Sequence, residues 1–192
     1  MAIEIERRFL VRDATAAING YEATSSIIQG YFGCIDGMRV RVRILTNAHD
    51  GCRGILSFKG ARQGPCRLEF EYPLALSRAR RALNTLPPPR IIQKTRYDVP
   101  YDGLVWSVDQ FKGPNIGLVL AEIELDHPNQ DINLPPWVGE EVTLNSRYRN
   151  SHLAVSPMPC CPKIAAESST HTLSALRKGA ALRLLSSPLQ SI

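Results

Sequence analysis

Several residue types are too sparse or too scattered here to support common architectures. The cysteines, Cys34, Cys52, Cys66, Cys160 and Cys161, form no CxxC pair. Their odd number fits reduced structural thiols rather than a zinc site or a disulfide framework. The histidines, His49, His127, His152 and His171, lie far apart with no HxH or HExxH spacing, so a histidine-built metal centre is not expected. No apolar run approaches the roughly 20 residues that a membrane-spanning helix needs. The opening MAIEIERRFLV carries acidic residues where a secretory leader would carry a basic segment and then an apolar one. The expectation is a cytoplasmic protein that engages no membrane. LSFKG at 56–60 lacks the GxxxxGK[ST] pattern and no serine sits in GxSxG, which sets aside a P-loop nucleotidase and an α/β-hydrolase. Aromatic residues are few, at 7%. With 44% hydrophobic residues and a mean hydropathy of -0.14, the composition is still that of a globular chain.

What is present is basic and strand-rich. The 192 residues carry a formal net charge of +5, which suits nucleic acid, an anionic surface or a small anion. The position of the charges has to decide among these. Short β-branched or aromatic stretches separated by Gly, Pro, Asp and Asn predict strands over residues 3–11, 27–32, 38–45, 54–59, 67–72, 91–99, 104–111 and 119–126. Their number and spacing predict a mostly β chain, an antiparallel barrel or sandwich with a few flanking helices. Tyr101-Asp102-Gly103 and Gly113-Pro114-Asn115 read as hairpin turns. Helices are expected at 77–86, capped by Ser77 and stopped by three prolines, and at 13–18. The composition changes after Ala154. Residues 1–155 read as one domain, and 156–192 as a Pro- and Cys-containing linker with a short amphipathic helix at 173–185.

The ionisable residues alternate within these strands. Glu4, Glu6 and Arg8 alternate with Ile3, Ile5 and Phe9, and Arg39, Arg41 and Arg43 with Val40, Val42 and Ile44. Lys59, Lys94 and Arg96 fall in similar phase, as do Arg67, Glu69 and Glu71, and Glu122, Glu124 and Asp126. Side chains two apart share one face of a strand. A solvated outer face with cross-strand ion pairs would account for each strand taken alone. The sorting of the two signs into separate rows points instead to a polyanion held beside metal cations. Guanidinium forks match phosphate oxygens bidentately. Hard Mg²⁺ or Mn²⁺, held by carboxylates such as Glu4, Glu6, Glu122 and Glu124, would help neutralise a phosphoryl group undergoing hydrolysis. The two carboxylate rows are expected to approach each other across the lumen.

EIERRFLV (4–11), followed in order by IIQGYF (27–32), MRVRVR (38–43), LSFKG (56–60), RLEFEYPL (67–74), IIQKTRY (91–97), LVLAEIELD (118–126) and SRYRNSHLA (146–154), resembles the CYTH family, the triphosphate tunnel metalloenzymes. The resemblance spans about 155 residues and is nearest to the short bacterial inorganic triphosphatases. It implies an eight-stranded antiparallel tunnel holding triphosphate and one or two divalent metals. By position it assigns Arg39, Arg41, Lys59, Arg67, Lys94 and Arg96 to phosphate, and Glu4, Glu6, Glu122, Glu124 and Asp109 to metal. It also assigns Tyr31, paired with residue 8, to general-base chemistry, with nearby cations expected to favour its phenolate. The family's lysine at that position is Arg8 here, which stays protonated and cannot readily act as a base. A second departure is Leu144-Asn145-Ser146, where such proteins often carry Gly, an acidic residue and Pro.

The resulting expectation is a metal-dependent triphosphatase acting on a small-molecule triphosphate, with tripolyphosphate favoured over nucleoside or thiamine triphosphate. An adenylyl cyclase of the same family and a non-catalytic polyphosphate- or RNA-binding module are the alternatives. Nucleic acid is not expected, because the strand arginines have no interleaved aromatics and the in-phase carboxylates would repel a nucleic-acid backbone. A homodimer is compatible with the sequence.

Overall fold

A computed structural model describes residues 2–158. Eight strands, β1 (Ala2–Val11), β2 (Ala23–Ile35), β3 (Met38–Asn47), β4 (Gly51–Lys59), β5 (Cys66–Leu74), β6 (Ile91–Tyr101), β7 (Leu104–Phe111) and β8 (Val119–Glu124), pair antiparallel in the order β5-β4-β3-β2-β6-β7-β8-β1. The amino-terminal half of β1 pairs back on β5, with Ile3 opposite Leu68 and Glu4 opposite Arg67. The ring is therefore closed. Closure leaves the barrel without an open edge and settles the choice between barrel and sandwich. A short strand outside the sequence expectation, β9 (Val138–Glu141), extends the same edge of β1 beyond β5. The expected tail helix at 173–185 lies outside the described residues.

Local chemistry explains the connections. Asp36-Gly37 and Asp102-Gly103 hold consecutive positive φ angles, 48° and 76° in the first pair and 50° and 75° in the second, as two-residue hairpins require. Gly113–Asn115 forms a 3-10 turn that carries β7 into β8. Helix α1 (Ala14–Ile18) is capped by Asp13, whose carboxylate accepts from the Ala16 amide at 3.0 Å. Helix α2 (Leu76–Asn84) begins one residue earlier than expected. Its N-cap is Ala75, with no side-chain capping bond, and Ser77 lies within the first turn. The apolar face of α2 presses Ala79 and Leu83 against Val42 on the outside of the barrel. That approach needs glycine beneath it: a Cβ on Gly30 would sit 2.4 Å from Leu86 Cδ1, and one on Gly54 would sit 2.5 Å from the Leu74 carbonyl oxygen.

Apolar side chains pack on both sides of the wall. Outside, Phe9, Trp106, Val108, Ala121, Ile123 and Trp137 form one core, with the Phe9 and Trp106 rings 5.6 Å apart. Inside, Ile92, Phe111 and Leu120 share the phase of the charged residues on their strands. They pack with Leu153 of the short α3 (Asn150–Leu153) and plug one end of the lumen. The rest of the interior is left to charge.

Candidate active site

Ion pairs that skip a strand establish that the charged rows face inward. Lys59 of β4 reaches over β5 to Glu4 of β1 at 3.0 Å. Arg96 of β6 reaches over β7 to Glu122 at 2.6 Å, and Arg41 of β3 reaches over β4 to Glu71 at 2.7 Å. Such pairs form only on the concave side of a closed sheet, so the solvated-face reading does not hold. The two carboxylate rows do not oppose each other across the lumen, however. β1 and β8 are neighbours, with Glu6 opposite Glu124 and Arg8 opposite Glu122. In sequence, two strands at opposite ends of the chain look distant, and only the closure places them side by side.

The lumen is divided by charge. One chamber of about 360 Å³ is lined by Arg39, Arg62, Arg149 and Tyr31 and borders no carboxylate. A second chamber of about 350 Å³ carries Glu4, Glu6, Glu69, Glu71, Glu122 and Glu124, together with Arg43 and Arg96. Arg8, Arg41, Lys59, Arg67 and Asn150 border both. Arg39 stands exposed at the edge of the cationic chamber and is tied to Ser151 of α3. Arg41 is buried, bonded to Ser57 and paired with Glu69 and Glu71.

Arg8 donates to Glu122 at 2.8 Å, to Glu6 at 2.8 Å and to the Tyr148 carbonyl at 3.2 Å. Burial alone would discharge it, but the Glu122 and Glu6 carboxylates outweigh burial and hold the guanidinium firmly protonated. Arg67 and Lys59 grip Glu4 and keep its carboxyl well below the usual range despite burial. Lys59 itself is pulled down to about 8, by burial first and then by Arg41 and Arg67. Glu69 is pushed up to about 7 by burial, which outweighs the opposing charge of Lys59.

Lys94 and Asp109 lie behind this surface. They pair with each other, both side chains are 0% exposed, and neither borders either chamber. Asp109 also receives two bonds of 2.8 Å from Arg96, which reaches on to Glu122. Arg43, Glu69, Glu71, Arg62, Arg149 and Asn150 also line the lumen. The first three are legible as in-phase neighbours of Arg41 and Arg67. The other three sit in a loop and in the 146–154 arm, where strand alternation gives no signal.

Tyr31 and Arg8 border the same cationic chamber, and among the described residues the hydrogen bond to the Tyr31 hydroxyl comes from Gln29 rather than from Arg8. Arg43 donates to Gln29 at 3.0 Å, and Gln29 donates to the Tyr31 hydroxyl at 2.7 Å. The expected fall in the Tyr31 pKa is also reversed. Burial pushes the phenol above its usual value and outweighs Arg41, Arg43, Arg67 and Arg8, which act in the opposite direction. With an ordinary phenol near 10, a raised one leaves well under about 1% phenolate at pH 7. Tyr31→Phe should therefore keep the wild-type pH profile of phosphate release between pH 6 and about 9. An alkaline rise present in the wild type and lost in the variant would restore Tyr31 as a base.

This fold and site define a barrel whose lumen can hold a polyanion beside hard cations. The chain belongs to the CYTH domain family, whose model matches residues 2–154. It is 37% identical over 160 residues to an inorganic triphosphatase of Acetivibrio thermocellus, covering 82% of this chain and 96% of that protein. It is 34% identical over 158 residues to an inorganic triphosphatase of Nitrosomonas europaea, covering 80% and 97%. Among solved structures, the crystal structure of an inorganic triphosphatase shares 30% identity and a TM-score of 0.58, covering 83% of this chain and 99% of that one. No helix among the described residues is long and apolar enough to cross a membrane.

The family implies a divalent metal, and the donor chemistry fits one. Glu6 and Glu124 face each other in register, and the charged donors of that chamber suited to a cation are carboxylate oxygens, which favour hard ions. Burial, together with the charges of Glu4 and Glu6, pushes the Glu124 carboxyl above its usual pKa. A cation at this point would relieve that repulsion. Among the described residues no three carboxylates converge closely enough to form a ready cage. Glu4, Glu6 and Glu122 turn instead to Lys59, Arg8, Arg62, Arg67 and Arg96, whereas Glu124 makes no ion pair among the described residues.

Proposed function

We propose that the barrel hydrolyses a small-molecule triphosphate, with inorganic tripolyphosphate favoured, and uses Mg²⁺ or Mn²⁺. The observation that carries this reading is the division of one closed lumen into a chamber bordered only by cations among its charged residues and a carboxylate-bearing chamber next to it. The two inorganic triphosphatases that share 34–37% identity with this chain support it.

In this reading Arg39, Arg41, Lys59 and Arg67 receive the phosphate oxygens. Arg41 and Arg67 are fork-shaped donors that match an oxyanion in two bonds each. As the substrate enters, its oxygens replace the carboxylates that these cations hold in its absence, and Glu4 and Glu69 are released. Glu4, Glu6, Glu122 and Glu124 would hold the divalent cation, which when bound neutralises phosphate charge and polarises the phosphoryl oxygen. Arg8 stays protonated between Glu6 and Glu122, orienting those two carboxylates and turning positive charge toward both chambers. Arg96, braced by Asp109, does the same for Glu122 from the other side, with Lys94 completing the brace. Closure of the barrel and the apolar plug at one end limit bulk water around the reacting group, which strengthens each of these interactions.

Phosphate release from tripolyphosphate, ATP and thiamine triphosphate, each with Mg²⁺, Mn²⁺ or EDTA, tests the reading. Release from tripolyphosphate that needs the metal is expected. Cyclic AMP from ATP would move the assignment to a cyclase, and binding without turnover would move it to a non-catalytic module. Arg41→Ala is expected to weaken tripolyphosphate binding by about 1.5–3 kcal/mol, the range for a lost charged hydrogen bond. Calorimetric titration measures that loss, and an unchanged affinity removes Arg41 from the grip.

A further inference from the structure

Among the described residues the ion pairs of the lumen form two chains, and they do not balance alike. In the first, Arg41, Lys59 and Arg67 meet Glu4, Glu69 and Glu71, three cations against three carboxylates. The second runs from Arg62 through Glu6, Arg8, Glu122, Arg96 and Asp109 to Lys94, four cations against three carboxylates. It carries one positive charge in excess. Its two ends differ. The Lys94 side chain is 0% exposed and borders neither chamber. Arg62, with a side chain 7% exposed, borders the cationic chamber, where no carboxylate stands. Glu6 is its single ion-pair partner, and the same Glu6 oxygen also receives Arg8. A buried guanidinium with a shared claim on one carboxylate is costly until another anion completes it.

The connection between β4 and β5 holds Arg62 in place. Gln63 and Cys66 exchange backbone bonds of 2.8 and 3.1 Å, and the Glu6 amide donates to the Pro65 carbonyl at 3.2 Å. Arg62 Nη1 donates to the Pro65 carbonyl at 2.8 Å and to the Glu6 carbonyl at 3.2 Å. Its Nη2 donates to Glu6 Oε1 at 3.2 Å. These bonds use three of the five hydrogens of a guanidinium. The remaining two, one on Nε and one on Nη2, make no bond among the described residues. Nε is not among the sealed polar atoms that lack a partner, so it keeps accessible surface. Arg62 thus holds a carboxylate of one chamber while offering unused donors to the other.

We propose that Arg62 binds the substrate, donating its two unused hydrogens to a phosphate group in the cationic chamber while the rest of its guanidinium keeps hold of Glu6. The phosphate supplies the negative charge that the second chain lacks. One rigid planar group then sets the distance between a phosphate and a carboxylate of the neighbouring chamber. Arg62 breaks the strand alternation that marks the other phosphate-facing cations, because it comes from a connection rather than a strand. The proposal rests on the triphosphatase reading and adds to it a residue that joins the grip to the carboxylates.

The test is calorimetric titration with tripolyphosphate in EDTA for the wild type, Arg62→Met and Arg62→Lys, with thermal unfolding of each. Steady-state hydrolysis with a saturating divalent metal accompanies it, and where binding needs the metal, KM carries the same comparison. A wild type that neither binds tripolyphosphate nor releases phosphate from it sinks the underlying reading, and the proposal with it. With an active wild type, Arg62→Met should weaken Kd by about 10- to 100-fold, as for a lost charged hydrogen bond, and raise KM in parallel. Arg62→Lys keeps the charge, but an ammonium has three hydrogens for the four acceptors that Arg62 would serve. Its Kd should therefore fall between the other two, more than about threefold weaker than the wild type. A purely structural role would lower the unfolding temperature of Arg62→Met and leave its affinity unchanged. Folded Arg62→Met with Kd and KM within about threefold of the wild type overturns the assignment. If that variant does not fold, Arg62→Lys with wild-type affinity does so.

Discussion

Glu124→Gln is expected to cut metal-dependent phosphate release by at least about 10²-fold while leaving thermal stability unchanged. Each tenfold in rate corresponds to about 1.4 kcal/mol, and the metal's contribution to phosphoryl activation is several kcal/mol. Losing one charged ligand of four can therefore account for that factor. The position is chosen for what it does not touch. Among the described residues Glu4 and Glu6 are the single ion-pair partners of Arg67 and Arg62, and Glu122 is shared by Arg8 and Arg96, so removing any of them would weaken the neutralisation of cations in the lumen. Glu124 makes no ion pair among the described residues, and its carboxyl is pushed up by burial and by Glu4 and Glu6. A neutral carboxamide at this position would therefore relieve repulsion rather than break a bond. Activity and unfolding temperature are measured on the same preparation, with EDTA as the parallel treatment. Full activity of the variant, or hydrolysis indifferent to EDTA, would remove the carboxylate row from metal binding.

Why Glu124 could be chosen, and why its neighbours mislead, marks how far the sequence alone reaches. The period-two rows of Glu4, Glu6 and Arg8 and of Arg39, Arg41 and Arg43 are a one-dimensional record of which face each side chain takes. The lumen lining was legible from them because strand geometry has no other period. Alternation does not tell which face is inside, or which strands are neighbours. Closure decides both, through backbone pairing between β1 and β5 that leaves no compositional trace. For that reason Glu6 and Glu124, expected to approach each other across the lumen, proved to be in register on neighbouring strands. Asp109 and Lys94 show the converse. They share the phase of lumen residues and look like ligands, but Phe111 and the apolar plug fill the lumen at their level. The pKa expected for Tyr31 turns the other way for an energetic reason. Counting nearby cations suggests a lowered pKa, whereas the cost of burying a phenolate is larger and is visible only in three dimensions.

Asp109→Ala should destabilise the protein by about 3–5 kcal/mol, the range for breaking a buried pair from one side. For a domain of this size that is a fall of about 6–20 °C in unfolding temperature. Asp109 is the shared anion of two cations, Lys94 with a 0% exposed side chain and Arg96 with a 19% exposed one. Removing it leaves the ammonium with only Glu122's charge and the Phe111 ring, 5.6 Å away, to offset burial. The reverse change is milder. Lys94→Met keeps the apolar stem and leaves Asp109 with its two bonds of 2.8 Å from Arg96, so its cost should be less than half as large. Proton linkage gives a second signature. Burial already holds Lys94 down to about 8, with Asp109 opposing it. Without Asp109 the folded pKa falls further below the unfolded value of about 10.4. Between the two values the unfolded state binds more protons, so stability rises with pH. The variant should therefore gain more stability from pH 6 to 8 than the wild type, whose Lys94 stays at least about half charged over that range and contributes a smaller slope. Denaturant unfolding of the wild type and both variants at pH 6 and pH 8 measures each quantity. Equal losses for the two variants at both pH values would mean that Asp109 is not the anchor of this buried network, and would return it to the list of candidate metal ligands.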